Sequence, residues 1–201
     1  MKILCIGRNY AEHAKELGNE VPTEPVIFMK PDTAILKGNN FYLPEFSQDI
    51  HYELEVILKI SKGGKYISEE HAPNYYNEIG LGIDFTARDL QSKLKEKGLP
   101  WELSKGFDGS AVVSNFYQKE NFDLKNLNFT LLKSKQEVQN GNTSLMIFSP
   151  EKIIAFVSKY FTLKVGDLIF TGTPKGVGKV TENDVLEGFL EEEKVFDVRI
   201  Q

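Results

Sequence analysis

The sequence has one cysteine, no long hydrophobic run and no dense cluster of basic residues. Because Cys5 is the single cysteine, an intramolecular disulfide is excluded, and its apolar neighbours predict a buried strand in a reducing compartment. No segment reaches the roughly 20 apolar residues that cross a bilayer, and the N-terminus lacks a secretory signal pattern. We therefore expect a cytoplasmic protein that does not bind a membrane.

The charge balance excludes another class of partner. The net charge is −5, and the lysines and arginines are scattered along the chain. A nucleic-acid-binding domain usually concentrates basic residues on one face. We therefore expect no nucleic-acid partner.

The rest of the composition is typical of a globular domain. Of the 201 residues, 41% are hydrophobic and 26% are charged, and no repeat or linker divides the chain. A single domain over residues 1–201 is therefore predicted. Short strand-like runs dominate, which favours a mostly antiparallel roll or distorted barrel over a doubly wound α/β sheet. The predicted strands are 2–6, 26–30, 34–36, 52–60, 78–85, 111–114, 128–133, 167–171, 184–190 and 194–200.

Few helices are predicted, and each is short. Ser149 is a favourable N-cap for a helix at about 149–160 whose apolar residues share one face. A second helix covers about 87–97, with Gly98 placed to end it.

The third helix, at about 10–17, is predicted to be a lid. Asn9 can cap it, Gly18 can end it, and a polar connector containing proline follows. A short helix between such joints can open and close over a site. We therefore expect residues 9–18 to act as a lid.

His13 and Glu16 lie three residues apart on this helix, so their side chains are neighbours on its surface. A carboxylate beside an imidazole orients the ring and stabilises its charged form, as a general base requires. A solvated helix face would explain the same pair without any chemistry. The two residues are therefore a candidate proton-transfer dyad whose role depends on the lid.

Three carboxylates form a candidate metal site. Glu53 and Glu55 are two residues apart among alternating apolar residues, so a β-strand would place both acids and His51 on one face. Asp84 ends the next long strand pattern. Neighbouring carboxylates repel, and burying them is costly unless a cation compensates. Oxygen ligands favour Mg²⁺, Mn²⁺ or Ca²⁺, although an exposed strand face is the commoner origin of a Glu-x-Glu pair.

Two lysines and one loop could bind an anion. Lys30 ends a strand pattern and precedes proline, and Lys105 lies in a loop rich in small residues. Residues 171–178 offer hydroxyl groups and exposed backbone amides that suit a carboxylate. The glycine spacing of that segment does not match a phosphate-binding P-loop.

Read together, these motifs resemble the fumarylacetoacetate hydrolase family, and in particular its small branch of acylpyruvases and oxaloacetate decarboxylases or tautomerases. The resemblance covers nearly the whole chain. Its carriers are Gly7-Arg8-Asn9-Tyr10 with His13 and Glu16, Phe28-Met29-Lys30-Pro31, His51-Tyr52-Glu53-Leu54-Glu55, Asp84-Phe85-Thr86-Ala87-Arg88-Asp89, Lys105-Gly106-Phe107-Asp108-Gly109-Ser110, Asn142-Thr143-Ser144 with Met146-Ile147-Phe148, and Gly166-Asp167 before Thr171-Gly172-Thr173-Pro174.

The resemblance implies a role for each of these groups. His13 and Glu16 would form a water-activating dyad on the lid, and Lys105 would be a catalytic cation. The ligands of Mg²⁺ or Mn²⁺ would be Glu53, Glu55 and Asp84. The substrate-binding residues would be Arg8, Lys30, Gln91 and Thr173. The family fold is a mixed β-sandwich roll with a few short helices, commonly found as a homodimer.

The function implied is that of a metal-dependent enzyme acting on small 2-oxo acids. Hydrolysis of acylpyruvates, decarboxylation of oxaloacetate and its keto–enol tautomerisation remain open. A second possibility is an isomerase or hydratase of unsaturated dioxo acids in aromatic catabolism. A third is a non-catalytic, metal-dependent 2-oxo-acid binder, although a binder has no need of His13 and Glu16. The chain lacks the N-terminal domain of fumarylacetoacetases and begins on its first core strand, which favours a bacterial-type member with another substrate.

Overall fold

The computed structural model describes residues 1–16, 18 and 20–201, and most of its regular structure is β-strand. The strands are β1 (Ile3–Gly7), β2 (Val26–Lys30), β3 (Asn40–Phe41), β4 (Ile50–Tyr52), β5 (Leu54–Ile60), β6 (Tyr76–Asp84), β7 (Thr86–Ala87), β8 (Ala111–Val113), β9 (Tyr117–Gln118), β10 (Asn128–Lys133), β11 (Gln136–Asn142), β12 (Leu168–Phe170), β13 (Gly178–Lys179), β14 (Val185–Leu190) and β15 (Glu193–Ile200). The α-helices are α1 (Ala11–Glu16), α2 (Arg88–Glu96), α3 (Glu102–Lys105) and α4 (Pro150–Tyr160). None of these helices is long and apolar enough to cross a membrane.

The strands form three sheets. The largest has the order β2-β1-β12-β5-β6-β8, with β9 also paired to β6; the second has the order β11-β10-β14-β15-β3, and a small third sheet has the order β13-β4-β7. The pairs β1–β12 and β15–β3 are parallel, whereas the other pairs in the described part of the chain are antiparallel. The prediction of a mostly β, mixed-sheet fold with few helices is confirmed.

The main core joins the two larger sheets to helix α4. It contains Leu58 of β5, Phe129 of β10 and Leu186 of β14, together with Ile153 and Val157 of α4, and all five are buried. Each such side chain contributes roughly 1.5–3 kcal/mol on burial. On the other face of β5, Ile57 packs in a second cluster, so this central strand is covered on both sides.

Helices α2 and α4 lie where their end signals predict. The Ser149 hydroxyl accepts a hydrogen bond from the Lys152 amide at 3.3 Å, so it caps α4 as expected. Gly98 follows α2 with φ of +64°, a left-handed conformation that glycine adopts readily.

Two strand predictions are wrong. Asp32–Ala34 is a 3₁₀ helix, and Ile35 beyond it makes only an isolated bridge to Ala111, because this short apolar stretch turns to follow Pro31. The predicted strand 52–60 is divided at Glu53, since β4 pairs with β7 and β13 while β5 pairs with β6 and β12.

Strand β11 was not predicted because its sequence is polar and lacks alternation. It forms an edge of the second sheet by pairing with β10, and most of its side chains are exposed or only partly buried. Its exception is Gln139, which is buried and points toward the functional site.

Asn9 does not cap α1 as predicted but anchors the loop before it. Its side-chain amide donates to the carbonyls of Phe148 (3.0 Å) and Thr171 (2.7 Å), and its Oδ1 accepts from the Phe148 amide at 2.7 Å. Gly18 ends the helix in the left-handed region, with its amide bonded to the Lys15 carbonyl. Leu17, in the predicted helix, and Asn19, in the predicted connector, lie outside the described residues.

Replacing Asn9 by Ala should destabilise the protein by about 2–3 kcal/mol, because three buried polar partners lose their hydrogen bonds. The measurement is equilibrium unfolding in urea. Asn77→Ala is the control, since Asn77 is exposed and its loss should change the free energy of unfolding by less than about 0.5 kcal/mol. Equal unfolding midpoints for the two variants would contradict the anchoring role of Asn9.

Candidate metal and active site

Strand pairing brings the three predicted metal ligands together. Glu55 lies on β5, Glu53 immediately precedes that strand, and Asp84 is the last residue of β6. The Asp84 amide donates to the Glu53 carbonyl at 2.8 Å, which aligns the two strand ends. One carboxylate oxygen of each residue lies within 4.8 Å of the others, and all three side chains are buried.

Gly82 allows this close arrangement. It lies opposite Glu55 in the β5–β6 pair and opposite Val113 in the β6–β8 pair. A Cβ at this position would collide with the Val112 carbonyl oxygen and with the Ile57 side chain. A glycine is therefore required for β6 to lie between its two neighbours at this point.

Three cationic side chains balance the three carboxylates. Lys105 Nζ lies 2.8 Å from Glu53 Oε2 and 2.6 Å from Asp84 Oδ2. Arg88 pairs with the other oxygen of Glu53, and Lys30 Nζ lies 2.8 Å from Asp84 Oδ1. The burial of Glu53 and Asp84 is tolerated because each has close partners of opposite sign, whereas Glu55 makes no ion pair within the described residues.

The environments of the two glutamates separate their pKa values. Burial opposes the ionised form of Glu53, but Lys105 and Arg88 outweigh it and hold the pKa of that carboxyl well below its usual range. Burial, followed by repulsion from Asp84 and Glu53, raises the pKa of Glu55 well above its usual range. Glu55 is thus the ligand whose ionised form is least compensated by the protein.

The donor set fits a divalent cation that prefers oxygen. Three carboxylates converge, and within the described residues the Glu55 carboxylate accepts one hydrogen bond, from the Gly172 amide at 2.7 Å. Such sites suit Mg²⁺, Mn²⁺ or Ca²⁺. Repulsion from the neighbouring carboxylates disfavours the ionised form of Glu55, and a cation bound at this point would offset that repulsion.

Lys105 faces the carboxylates, and Lys30 lies behind them. Lys105 Nζ also contacts Thr86 Oγ1 at 2.6 Å and lies over the Phe28 ring, 4.9 Å from its centroid. Burial opposes its charge, but Asp84 and Glu53 outweigh this and raise the pKa of Lys105. Lys105 therefore stays charged beside the carboxylate oxygens of Glu53 and Asp84.

Lys30 does not lie where a substrate-binding residue is expected. Its side chain is fully buried, and Nζ donates to Ser110 Oγ (3.0 Å), to the Ser110 carbonyl (3.2 Å) and to the Lys105 carbonyl. It does not line the cavity described below. Lys30 instead links Asp84 to the segment that carries Lys105.

The predicted dyad is assembled on α1. His13 is buried, and its Nδ1 lies 3.3 Å from Glu16 Oε2. The Gly176 amide donates to Glu16 Oε1 at 3.0 Å, so Glu16 also joins the helix to the 171–178 segment. This hydrogen bond fixes the C-terminal end of α1 against that segment.

A cavity of about 30 Å³ is bordered by His13 and by two of the three carboxylates, Glu53 and Glu55. It holds little more than one or two water molecules. Its lining residues are Ile6, Gly7, Arg8, His13, Phe28, Glu53, Glu55, Arg88, Gln91, Lys95, Trp101, Lys105 and Thr173. The cavity thus brings together His13 and Lys105 with three of the four expected substrate-binding residues.

His51 does not join this group. It pairs with Asp49, at 3.0 Å between Nε2 and Oδ1, and lies outside the cavity lining. Burial, followed by the charge of Arg88, lowers its pKa. His51 is therefore close to the acids in sequence but does not line the cavity with them.

Several site residues were missed from the sequence. Arg88, Gln91 and Lys95 are spaced as i, i+3 and i+7 on α2, and all three line the cavity, but only Gln91 was proposed. Their helical spacing is the sequence signal that could have identified Arg88 and Lys95. No sequence signal marks Gln139, because it lies in a polar strand. Its side chain accepts a hydrogen bond from the Leu54 amide and donates one to Thr173 Oγ1, both at 2.9 Å.

Replacing Lys105 by Met should lower the stability of the metal-free protein by about 3–5 kcal/mol, because two buried carboxylates lose a partner. Urea unfolding in the presence of chelator measures this. Lys133→Met removes a partly exposed lysine 3.5 Å from Asp184 and should cost less than about 1 kcal/mol. A Lys105 variant as stable as the Lys133 variant would show that Lys105 is not needed to compensate the carboxylates.

Comparison with known proteins is consistent with this geometry. The sequence matches the family model described as fumarylacetoacetate (FAA) hydrolase C-terminal over residues 2–201. It is 46% identical over 187 residues to the mitochondrial oxaloacetate tautomerase FAHD1 of Bos taurus, covering 92% of this chain and 85% of the relative. It is 44% identical over 189 residues to a mitochondrial oxaloacetate decarboxylase of Dictyostelium discoideum, covering 92% of this chain and 87% of that relative.

One solved structure is similar to this protein over the whole length of the present chain. The crystal structure of fumarylpyruvate hydrolase from Pseudomonas aeruginosa, in complex with Mn²⁺ and pyruvate, matches with a TM-score of 0.94 and 33% identity, covering 100% of this chain and 89% of that one. The shared fold and the family model lead to the same conclusion. This chain belongs to the fumarylacetoacetate hydrolase family.

Proposed function

We propose that the protein is a divalent-metal-dependent enzyme that acts on small 2-oxo acids. The observation that carries the proposal is that His13, paired with Glu16, lines the same cavity as Glu53 and Glu55, which form a buried carboxylate cluster with Asp84. Relatives named as oxaloacetate tautomerase, oxaloacetate decarboxylase and fumarylpyruvate hydrolase support the same substrate class. All three act on 2-oxo acids that carry a further carbonyl or carboxyl group.

The ligands Glu53, Glu55 and Asp84 would hold Mg²⁺ or Mn²⁺. When bound, such an ion supplies Lewis acidity toward the carboxylate and 2-oxo oxygens of a substrate. The charge balance favours an anionic ligand at this point: three carboxylates already face three cations, so a divalent ion leaves the site positive by two charges.

His13 is placed to accept a proton at Nε2. Its Nδ1 faces the Glu16 carboxylate, so the tautomer with a proton on Nδ1 is held in place and Nε2 is left with a free lone pair. Glu16 also stabilises the imidazolium that forms when Nε2 takes the proton. In hydrolysis that proton comes from water, and in tautomerisation it comes from the carbon next to the 2-oxo group.

The other cavity residues orient the substrate and balance its charge. Lys105 can offset negative charge as it develops, because its ammonium faces the cavity and remains protonated. Gln91 and Thr173 offer neutral hydrogen-bonding groups, and Arg8 offers a cation. We assign Lys30 to positioning Asp84 and the Lys105 segment, since it has no access to the cavity.

We propose that α1 opens to admit substrate and closes to exclude water. The closed cavity has space for one or two water molecules, which is less than a 2-oxo acid occupies. Among the described residues, few side-chain contacts link α1 to the 171–178 segment: the Gly176 amide donates to Glu16, and Lys175 Nζ lies 4.0 Å from Glu12 Oε2 at the exposed surface. Breaking this hydrogen bond is a small cost compared with those of unfolding.

The other two functional classes draw less support from the geometry. A dioxo-acid isomerase or hydratase would use the same ligands, but no residue in the described cavity favours it over the enzyme proposed. A pure binder has no need of an imidazole buried against a carboxylate. Homodimer formation, a cytoplasmic location and the choice of Mg²⁺ over Mn²⁺ remain predictions, and sedimentation analysis, localisation and metal analysis of purified protein would test them.

The first test of function is a substrate panel. Acetylpyruvate and oxaloacetate should be consumed in the presence of Mg²⁺ or Mn²⁺ and not in the presence of chelator, as followed by ultraviolet absorbance. Product identification by NMR separates hydrolysis, decarboxylation and tautomerisation. Glu55→Gln should remove the metal-dependent rate, whereas Glu192→Gln, at an exposed turn, should not. Equal rates with metal and with chelator would remove the metal from the reaction.

The second test separates the dyad from the metal site. His13→Asn should lower acetylpyruvate hydrolysis by about 100-fold or more, the usual loss when a general base is removed. Affinity for Mn²⁺, measured by calorimetry, should stay within about twofold of wild type because His13 is not a ligand. Hydrolysis at the wild-type rate would show that another group activates water.

A further inference from the structure

One face of α2 carries a line of polar groups that leads away from the carboxylates. Arg88 pairs with Glu53, and its second nitrogen donates to Gln91 Oε1 at 2.7 Å. Lys95 is the next residue on this face and also lines the cavity. Seven residues of helix separate Arg88 from Lys95, which is about 10 Å along the axis. The line therefore runs from Glu53, through Arg88 and Gln91, to a further cation that lines the same cavity.

Lys95 is a half-buried cation for which the described residues provide no anionic partner. Its Nζ lies 5.1 Å from the centroid of the Trp101 ring, which supports the side chain. Across residues 1–16, 18 and 20–201, no carboxylate lies within ion-pair distance of Lys95 and no group accepts a hydrogen bond from its Nζ. Burial, followed by the charges of Arg8 and Arg88, lowers its pKa to about 8. The protein thus holds Lys95 near other cations without compensating its charge.

Arg8 adds a second cation to the same cavity. It lies after β1 with φ of +60°, a conformation that is costly for a residue with a side chain and that recurs at ligand sites. In the part of the chain that the structure describes, its guanidinium also makes no ion pair or hydrogen bond. Two uncompensated cations lining one small cavity favour an anionic ligand at that position.

We propose that Lys95, together with Arg8, binds the distal anionic group of a dianionic 2-oxo acid and so selects dicarboxylic over monocarboxylic substrates. The inference rests on the proposed function, because the 2-oxo acid group would first have to bind at a divalent ion held by Glu53, Glu55 and Asp84. Lys95 is then a specificity-determining residue, while His13 and Lys105 serve either substrate class.

Two substrates of nearly equal shape isolate the charge. Acetylpyruvate carries a methyl group where oxaloacetate carries a carboxylate oxygen. Lys95→Met keeps an unbranched side chain over Trp101 and removes the ammonium. At pH 7 this variant should lose at least about tenfold in kcat/KM for oxaloacetate, through KM, as expected for a hydrogen bond to a charged group. Its kcat/KM for acetylpyruvate should stay within about twofold.

Lys93→Met is the matched control, because Lys93 is exposed on the same helix and lies outside the cavity. It should leave both substrates unaffected. Equal losses for both substrates with Lys95→Met would reduce Lys95 to a packing role. An unchanged KM for oxaloacetate would overturn the inference directly.

The pH dependence provides a second readout. Since its pKa is about 8, Lys95 loses its charge as pH rises from 7 to 9, so kcat/KM for oxaloacetate should fall by about tenfold over that range. Lys95→Arg keeps the charge and should lack this component of the fall. If kcat/KM for oxaloacetate had the same pH profile in wild type and in Lys95→Arg, the result would count against the proposal. The other charged groups that line the cavity with Lys95 are Arg8, His13, Glu53, Glu55, Arg88 and Lys105.

Ligand binding separates this inference from the proposed function. 2-Oxoglutarate and 2-oxopentanoate differ mainly in the distal carboxylate, and calorimetry can compare them on the Mn²⁺-loaded protein. Wild type should bind the dianion at least about tenfold more tightly, and Lys95→Met should remove the difference. If wild type turns over no substrate but keeps this preference, the proposed function fails and the role of Lys95 stands. If wild type is active but binds both acids equally, the proposed function stands and the role of Lys95 fails.

Discussion

The structure depends on keeping three carboxylates close together away from water. Glu53, Glu55 and Asp84 repel one another, and their burial would unfold the site without compensation. The protein supplies the compensation from separate elements: the end of β2, the start of α2 and the end of α3 each contribute one cation. The positions of these elements around β5 and β6 are therefore set by electrostatics as well as by apolar packing.

The cations divide into two layers with different uses. Lys30 lies behind Asp84 and ties it to the segment that carries Lys105, whereas Lys105 and Arg88 face the cavity. Neutral groups complete the support: Gln139 joins the start of β5 to Thr173, and the Gly172 amide holds Glu55. Paired charge thus fixes Glu53 and Asp84, while Lys95 and Arg8, which make no ion pair within the described residues, remain available to a ligand.

Much of the fold could be predicted because it follows local patterns. Strands such as β2 and β10 have apolar sequences at the predicted positions, and the Ser149 cap marks the start of α4. Strand β11 could not be found this way, because an edge strand with exposed side chains needs no apolar alternation. Asn9 has the chemistry of a helix cap, yet its amide satisfies buried backbone groups of Phe148 and Thr171, which are distant in sequence.

The sequence by itself determined the donor types: carboxylates two residues apart in an apolar strand, an imidazole one helical turn from a carboxylate, and motifs shared with a known family. These are local or family-wide properties, so one chain is enough to identify them. Only the tertiary structure decided that Lys30 lies behind the carboxylates, that Lys105 faces them and that Lys95 has no anionic partner in the described part of the chain. The physical reason is that the role of a charged side chain depends on which charges and dipoles lie near it. Here those neighbouring groups come from strands and helices that are far apart in the chain.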